Sequence, residues 1–205
     1  NNGTAGGTAF LNLNCATLRA ALAAAPGAST GILVYIRAGT YNLRDGYATY
    51  GANGLNLNGG GDATHPIMLT GYPGDTHPIL DCAENYSASE ILEISTKGTL
   101  NGQPFTIRCR QNIDCTGAYV VLENLELRDG FRHNVQARCA HIAVRSVLLN
   151  GAYEDAFKTI IGSDRAYLAD GECRAFASSC VDAFGALNVK LVANTTGTAE
   201  VGFSE

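Results

Sequence analysis

With 205 residues the chain is long enough to close one domain around a substantial hydrophobic core. A composition 46% hydrophobic and only 16% charged excludes an extended disordered tail, and a formal net charge of −5 leaves nucleic acid no electrostatic footprint to bind. No apolar run reaches the length of a membrane span, so neither nucleic acid nor a bilayer crossing is expected.

In chain order, residues 1–13 are rich in Gly, Asn and Thr, the composition of an edge or flexible segment. Asn14 is placed to cap a helix over Ala16–Ala25, which Pro26-Gly27 ends. Leu18 and Leu22 share one face of that helix, and the alanines around them allow close packing on a layer of strands. A first strand is expected over Gly31–Arg37. From there strands alternate with Gly/Asn turns.

The later half repeats. Tyr119–Leu127 aligns with His141–Leu149 at an offset of 22 residues, Arg165–Asp170 follows 24 later, and Leu187–Val192 another 22. Each segment alternates apolar and polar residues, the period of a half-buried strand. Asn124, Ser146 and Asp170 fall at one position of the repeat and predict a ladder of polar turns. Units this short, without a leucine-rich pattern, predict a coil in which each turn pairs with those above and below. The fold class expected is all-β: a right-handed parallel β-helix with an N-terminal capping α-helix. It would be one domain over 1–205, with 1–30 as the N-terminal segment and capping helix and 31–205 as rungs. No equivalent cap is read after Glu205, so an open last rung would offer strand edges for head-to-tail self-association.

The chain starts at Asn1 without Met or a signal-like segment, the pattern of a mature or trimmed product. Seven cysteines and no CxxC pair point to an oxidising compartment, hence a secreted or cell-surface location, rather than to a zinc ribbon. Short-loop pairings would be Cys109 with Cys115 and Cys173 with Cys180, leaving Cys15, Cys82 and Cys139; an odd count leaves at least one thiol unpaired or bonded to another chain.

Three polar segments are candidates for chemistry: Gly130–Asn134, Tyr153–Lys158 and Cys180–Gly185. Asp-Ala-Phe recurs at Asp155 and Asp182, which predicts that these carboxylates stack about 4.8 Å apart. Two such charges repel unless a cation or proton lies between them. A hard cation such as Ca²⁺ would bind through oxygen, with Glu154 and Asn134 as further ligands. His65 and His77 each precede a proline, which suits turn geometry, and His141 opens a strand.

Thr17–Gly27 followed by Val34–Tyr41, with its terminal Gly-Thr-Tyr, resembles the start of many pectate-lyase-like β-helix proteins. Pro66–Asp75 with Pro78–Asp81 resembles a second stretch of the same superfamily. The superfamily holds lyases, hydrolases, epimerases and noncatalytic surface proteins, so this likeness implies fold more than activity. Glu154–Lys158 also resembles a stretch of the calcium-dependent family 9 polysaccharide lyases, in which an aspartate at this position is a calcium ligand. That resemblance implies Asp155 and Asp182 as metal ligands and β-elimination on an acidic, uronate-containing polysaccharide; the same face could instead bind such a glycan without cleaving it. Lys158 would be the base, with Arg132 or His133 as substitutes. A base must be neutral, so the site would have to lower the lysine's pKa. The competing expectation is a structural surface protein in which Lys158 pairs with Glu154 or Asp155. Low charge, many cysteines and few rungs favour that expectation.

Overall fold

The computed structural model describes residues 4–5, 8–9, 31–43, 54–58, 61–83, 87–100, 102–104, 109, 111–160, 163–184, 188–192 and 201–202. The expected helix Ala16–Ala25 lies outside them. The described chain is mostly β, and most of its strands lie in three parallel sheets of six, five and six strands. The first sheet holds Ile32–Ile36, Ile67–Gly71, Tyr119–Glu123, His141–Arg145, Arg165–Ala169 and Asn188–Val192. The second holds Thr40–Asn42, Ile79–Asp81, Glu126–Arg128, Leu148–Asn150 and Glu172–Arg174. The third holds Leu55–Leu57, Gln111–Cys115, His133–Ala137, Phe157–Thr159, Val181–Asp182 and Val201–Gly202. The chain visits the sheets in turn, and most strands pair with their counterparts one circuit earlier and one later. This arrangement is consistent with a parallel β-helix.

The register explains the sequence pattern. Tyr119 pairs with His141 and His141 with Arg165, as the repeat predicts. Arg165 pairs with Asn188 rather than Leu187, so the last repeat is shifted by one residue from the offset expected from sequence. Same-type side chains therefore stack in columns: Ile67, Val120, Ile142 and Ala166 in the first sheet, Leu80, Leu127 and Leu149 in the second, Leu55, Ile113, Val135, Phe157 and Val181 in the third, all buried. At roughly 1.5–3 kcal/mol per fully buried large apolar side chain, these columns dominate cohesion.

The turns are columns too. Asn124, Ser146 and Asp170 occupy one turn position with φ of 53°, 51° and 51°, a left-handed conformation that short polar side chains tolerate better than other non-Gly residues. After the second sheet a like column runs through Asp129, Gly151 and Ala175, at φ of 56°, 74° and 49°. From the start of strand Gln111–Cys115 the Asn112 side chain donates to the carbonyls of Leu80 and Arg128 at 2.8 and 2.7 Å. One circuit on, Asn134 donates to Asn112 Oδ1 at 3.0 Å and to the Asn150 carbonyl at 3.1 Å. Buried backbone carbonyls in the bend are thereby satisfied.

Helix Ala88–Lys97 interrupts the passage from the second to the third sheet. Ser87 caps it: its Oγ accepts from the Glu90 amide at 3.3 Å while the Glu90 carboxylate accepts from the Ser87 amide at 2.8 Å. Three disulfides join Cys82 to Cys109, Cys115 to Cys139 and Cys173 to Cys180. The last is the expected pair. The expected Cys109–Cys115 bond is not formed, because strand Gln111–Cys115 is extended at about 3.3 Å per residue and carries the two sulfurs far apart. Cys115 instead meets Cys139, 24 residues on, one circuit later. Cys15 lies outside the described residues.

Candidate functional site

The candidate residues collect where the chain enters the third sheet on three consecutive circuits. Residues 131–133 of one circuit face 153–155 of the next, the 22-residue offset seen in the strands. Phe131 and Tyr153 stack, ring centroids 5.4 Å apart and 13° from parallel, both exposed. Arg132 Nε donates to both oxygens of Glu154 at 3.0 and 3.1 Å. His133 lies against Asp155, with Nδ1 3.5 Å from Oδ2, while its Nε2 is 3.7 Å from Glu154 Oε2. The imidazole side chain is 1% exposed, and neither nitrogen has a hydrogen-bond partner. Gly130 permits the tight turn of the chain before His133: a Cβ there would lie 2.1 Å from the His133 carbonyl oxygen.

Lys158 sits one step further along the strand. Its Nζ contacts Asp155 Oδ2 at 3.3 Å and donates a short hydrogen bond to Asp182 Oδ2. The two aspartates are therefore joined by one ammonium, as the charge argument required, but they are not stacked in register. Asp182 pairs across the sheet with Lys158, and the matching Asp-Ala-Phe triplets are out of step. The offset from Lys158 to Asp182 is 24 residues, that of the circuit, whereas Asp155 to Asp182 is 27.

No family model, curated protein or solved structure matches the chain.

The electrostatics follow from these contacts. Burial pulls the Lys158 pKa down, but the hydrogen bond to Asp182 and the charges of Asp155 and Asp182 outweigh it, and the ammonium stands above its ordinary value. Lys158 is thus held as a cation, and the lowered pKa that a lysine base needs is not supplied by this arrangement. The hydrogen bond from Arg132 holds the Glu154 carboxyl below the usual range. Burial lowers the His133 pKa against the opposing pull of Asp155 and Glu154, keeping the ring neutral at pH 7.

Of the residues singled out from sequence, Arg132, His133, Glu154, Asp155, Lys158 and Asp182 all meet in this one cluster. One ligand atom from each of His133, Glu154 and Asp155 lies within 4.8 Å of the others. Asp182 is drawn to Lys158 instead. Asn134 is turned into the bend, donating to Asn112 and Asn150. Sequence reasoning placed His133 as a substitute base and missed its position between two carboxylates. The signal was present: His133 and Asp155 are 22 residues apart. His65 lies in a turn, its amide donating to Asp62 Oδ1 at 2.7 Å, and His141 opens a strand and packs on Tyr119 with centroids 4.2 Å apart. Among the described residues no helix is long and apolar enough to cross a membrane.

Proposed function

We propose that the chain is a structural protein of the extracellular or cell surface: a right-handed parallel β-helix of pectate-lyase-like type, used as a stiff scaffold rather than as a lyase. The observation that carries this reading is Lys158, the side chain best placed to be a base, pinned as a cation between Asp155 and Asp182. β-Elimination needs a neutral base to take the C5 proton of a uronate, and a charged ammonium cannot accept it. Arg132 is engaged by Glu154 in the same way, and His133, although neutral, has a side chain only 1% exposed and so presents no nitrogen to a glycan on the surface. Pairs of opposite charge on successive circuits, Arg145 with Glu123 at 3.1 Å and Arg138 with Asp114, continue the pattern along the stack. Three disulfides are compatible with an extracellular setting. Self-association along the stacking axis belongs to this reading, since the end strands of such a stack are pairing surfaces.

The test is incubation with polygalacturonate and with alginate, with and without Ca²⁺, reading the ultraviolet absorbance of unsaturated uronides. Light scattering on the same samples follows assembly. The structural reading expects no product, and a lower Tm for Lys158→Met. Product release by the wild type that Lys158→Met abolishes without loss of Tm overturns it in favour of a cation-assisted lyase.

A further inference from the structure

The imidazole of His133 poses a problem that the structural reading does not solve. Its side chain is 1% exposed, and both nitrogens are without hydrogen-bond partners although each faces a carboxylate. A buried polar group of a native protein is normally satisfied, and an orphaned pair on one ring calls for a partner that the protein atoms do not provide. We propose that His133, Glu154 and Asp155 hold one divalent transition-metal ion of the zinc class, clipping one circuit of the chain to the next.

The geometry supports this independently of the function proposed above. Two ligands at about 2.0–2.1 Å from a tetrahedral ion stand roughly 3.3 Å apart. An ion takes only one ring nitrogen; His133 Nδ1 lies 3.5 Å from Asp155 and Nε2 3.7 Å from Glu154, either one close to that spacing, and one ligand atom from each of the three residues lies within 4.8 Å of the others. The donors must close from within 4.8 Å to that spacing, and Glu154, whose side chain is 38% exposed, gives the ion a way in from solvent. The ion takes one ring nitrogen and supplies its missing partner, while the other nitrogen keeps its proton.

The surrounding charges permit it. Arg132 faces Glu154, and Lys158 faces Asp155 and Asp182. Three carboxylates and two cations leave the cluster with one net negative charge before a dication enters. Arg132 lies on both Glu154 oxygens and Lys158 on the Asp155 oxygen that faces His133, so each carboxylate would share its lone pairs between its cation and the metal. The imidazole donor is what separates this site from the all-oxygen calcium set expected from sequence: nitrogen suits Zn²⁺ better than Ca²⁺.

The experiment takes the full chain after exhaustive chelation and titrates ZnCl₂, MnCl₂ and CaCl₂ by calorimetry, with melting curves alongside. The side-chain ¹⁵N resonances of the histidines report which ring responds. Zn²⁺ is expected to bind one to one and to raise Tm by about 5–10 °C at ~100-fold excess over Kd. The His133 ring nitrogens should shift while those of His65, His77 and His141 stay still. Glu154→Gln alters a partly exposed group and should cut Zn²⁺ affinity by about tenfold or more with the fold retained; His133→Asn should abolish it. Absence of Zn²⁺ and Mn²⁺ binding by the wild type, binding that leaves His133 unmoved, or affinity unchanged in Glu154→Gln would each overturn the site. So would calcium binding as tight as zinc binding.

Discussion

Lys158→Met keeps most of the side-chain length and removes the charge, stranding Asp155 and Asp182, whose side chains are 6% and 15% exposed. Deleting one partner of a fully buried ion pair costs about 3–5 kcal/mol. The Lys158 side chain is 23% exposed, so solvent screens part of this, and a loss of about 2–3 kcal/mol is the better figure. At about 2–4 °C per kcal/mol for a domain of this size, Tm should fall by about 4–12 °C. Adding Asp182→Asn to Lys158→Met removes one of the stranded charges and should recover part of the loss. The alkaline limb gives a second readout. Because the Lys158 pKa is raised in the fold, its pairing stabilises fully below the ordinary value of 10.5 and is lost as pH climbs through the folded-state value. Wild type should therefore lose stability there more steeply than Lys158→Met. Melting curves by circular dichroism, from neutral pH to above 10.5, measure both effects. A Tm drop under about 1 °C at neutral pH would refute the claim that this ammonium holds two circuits together.

Three further outcomes are expected. Replacing Cys115 and Cys139 together by Ser opens a 24-residue loop and should cost about 3.5 kcal/mol by chain entropy, read as a lower denaturant midpoint; a loss below about 1 kcal/mol would show that strand pairing alone sets this junction. Ala175 pays for a left-handed backbone at φ 49° without the polar side chain of its neighbours in other turns, so Ala175→Gly should raise stability by up to about 1 kcal/mol in urea melts, and a decrease would count against that turn geometry. The Asp62 carboxyl receives hydrogen bonds from the Thr64 hydroxyl and from the amides of Thr64 and His65, which lower its pKa to about 2; this turn should keep its full stability above 3.8 and lose it as pH falls toward 2, and a carboxyl NMR titration centred at 3.8 would contradict it.

The strand columns were legible in the sequence because a parallel stack imposes one offset on every sheet. Tyr119, His141 and Arg165 were found that way, and so was the turn column of Asn124, Ser146 and Asp170. The candidate site was legible as a neighbourhood but not in detail. Motif similarity set Asp155 over Asp182, although two extra residues enter between Thr159 and Arg165 and carry Lys158 into that place. Counting from the nearest strand would have given the right pairing. Disulfides went astray for the same reason: short separation along the chain suggested Cys109 with Cys115, whereas proximity in a stack comes once per circuit. Helix Ala88–Lys97 had its capping sequence Ser87-Ala-Ser-Glu90 in view, but it lies in an insertion outside the repeat, where periodicity says nothing.

The regular offset of the later circuits has a consequence for size. A globular domain grows outward, and its core is limited by how surface scales with volume. Here each added circuit of 22–24 residues lengthens the stack by about 4.8 Å and brings the same columns at the same cross-section. The ratio of buried to exposed surface is then nearly independent of the number of circuits. Length becomes a quantity that selection can tune without redesigning the interior.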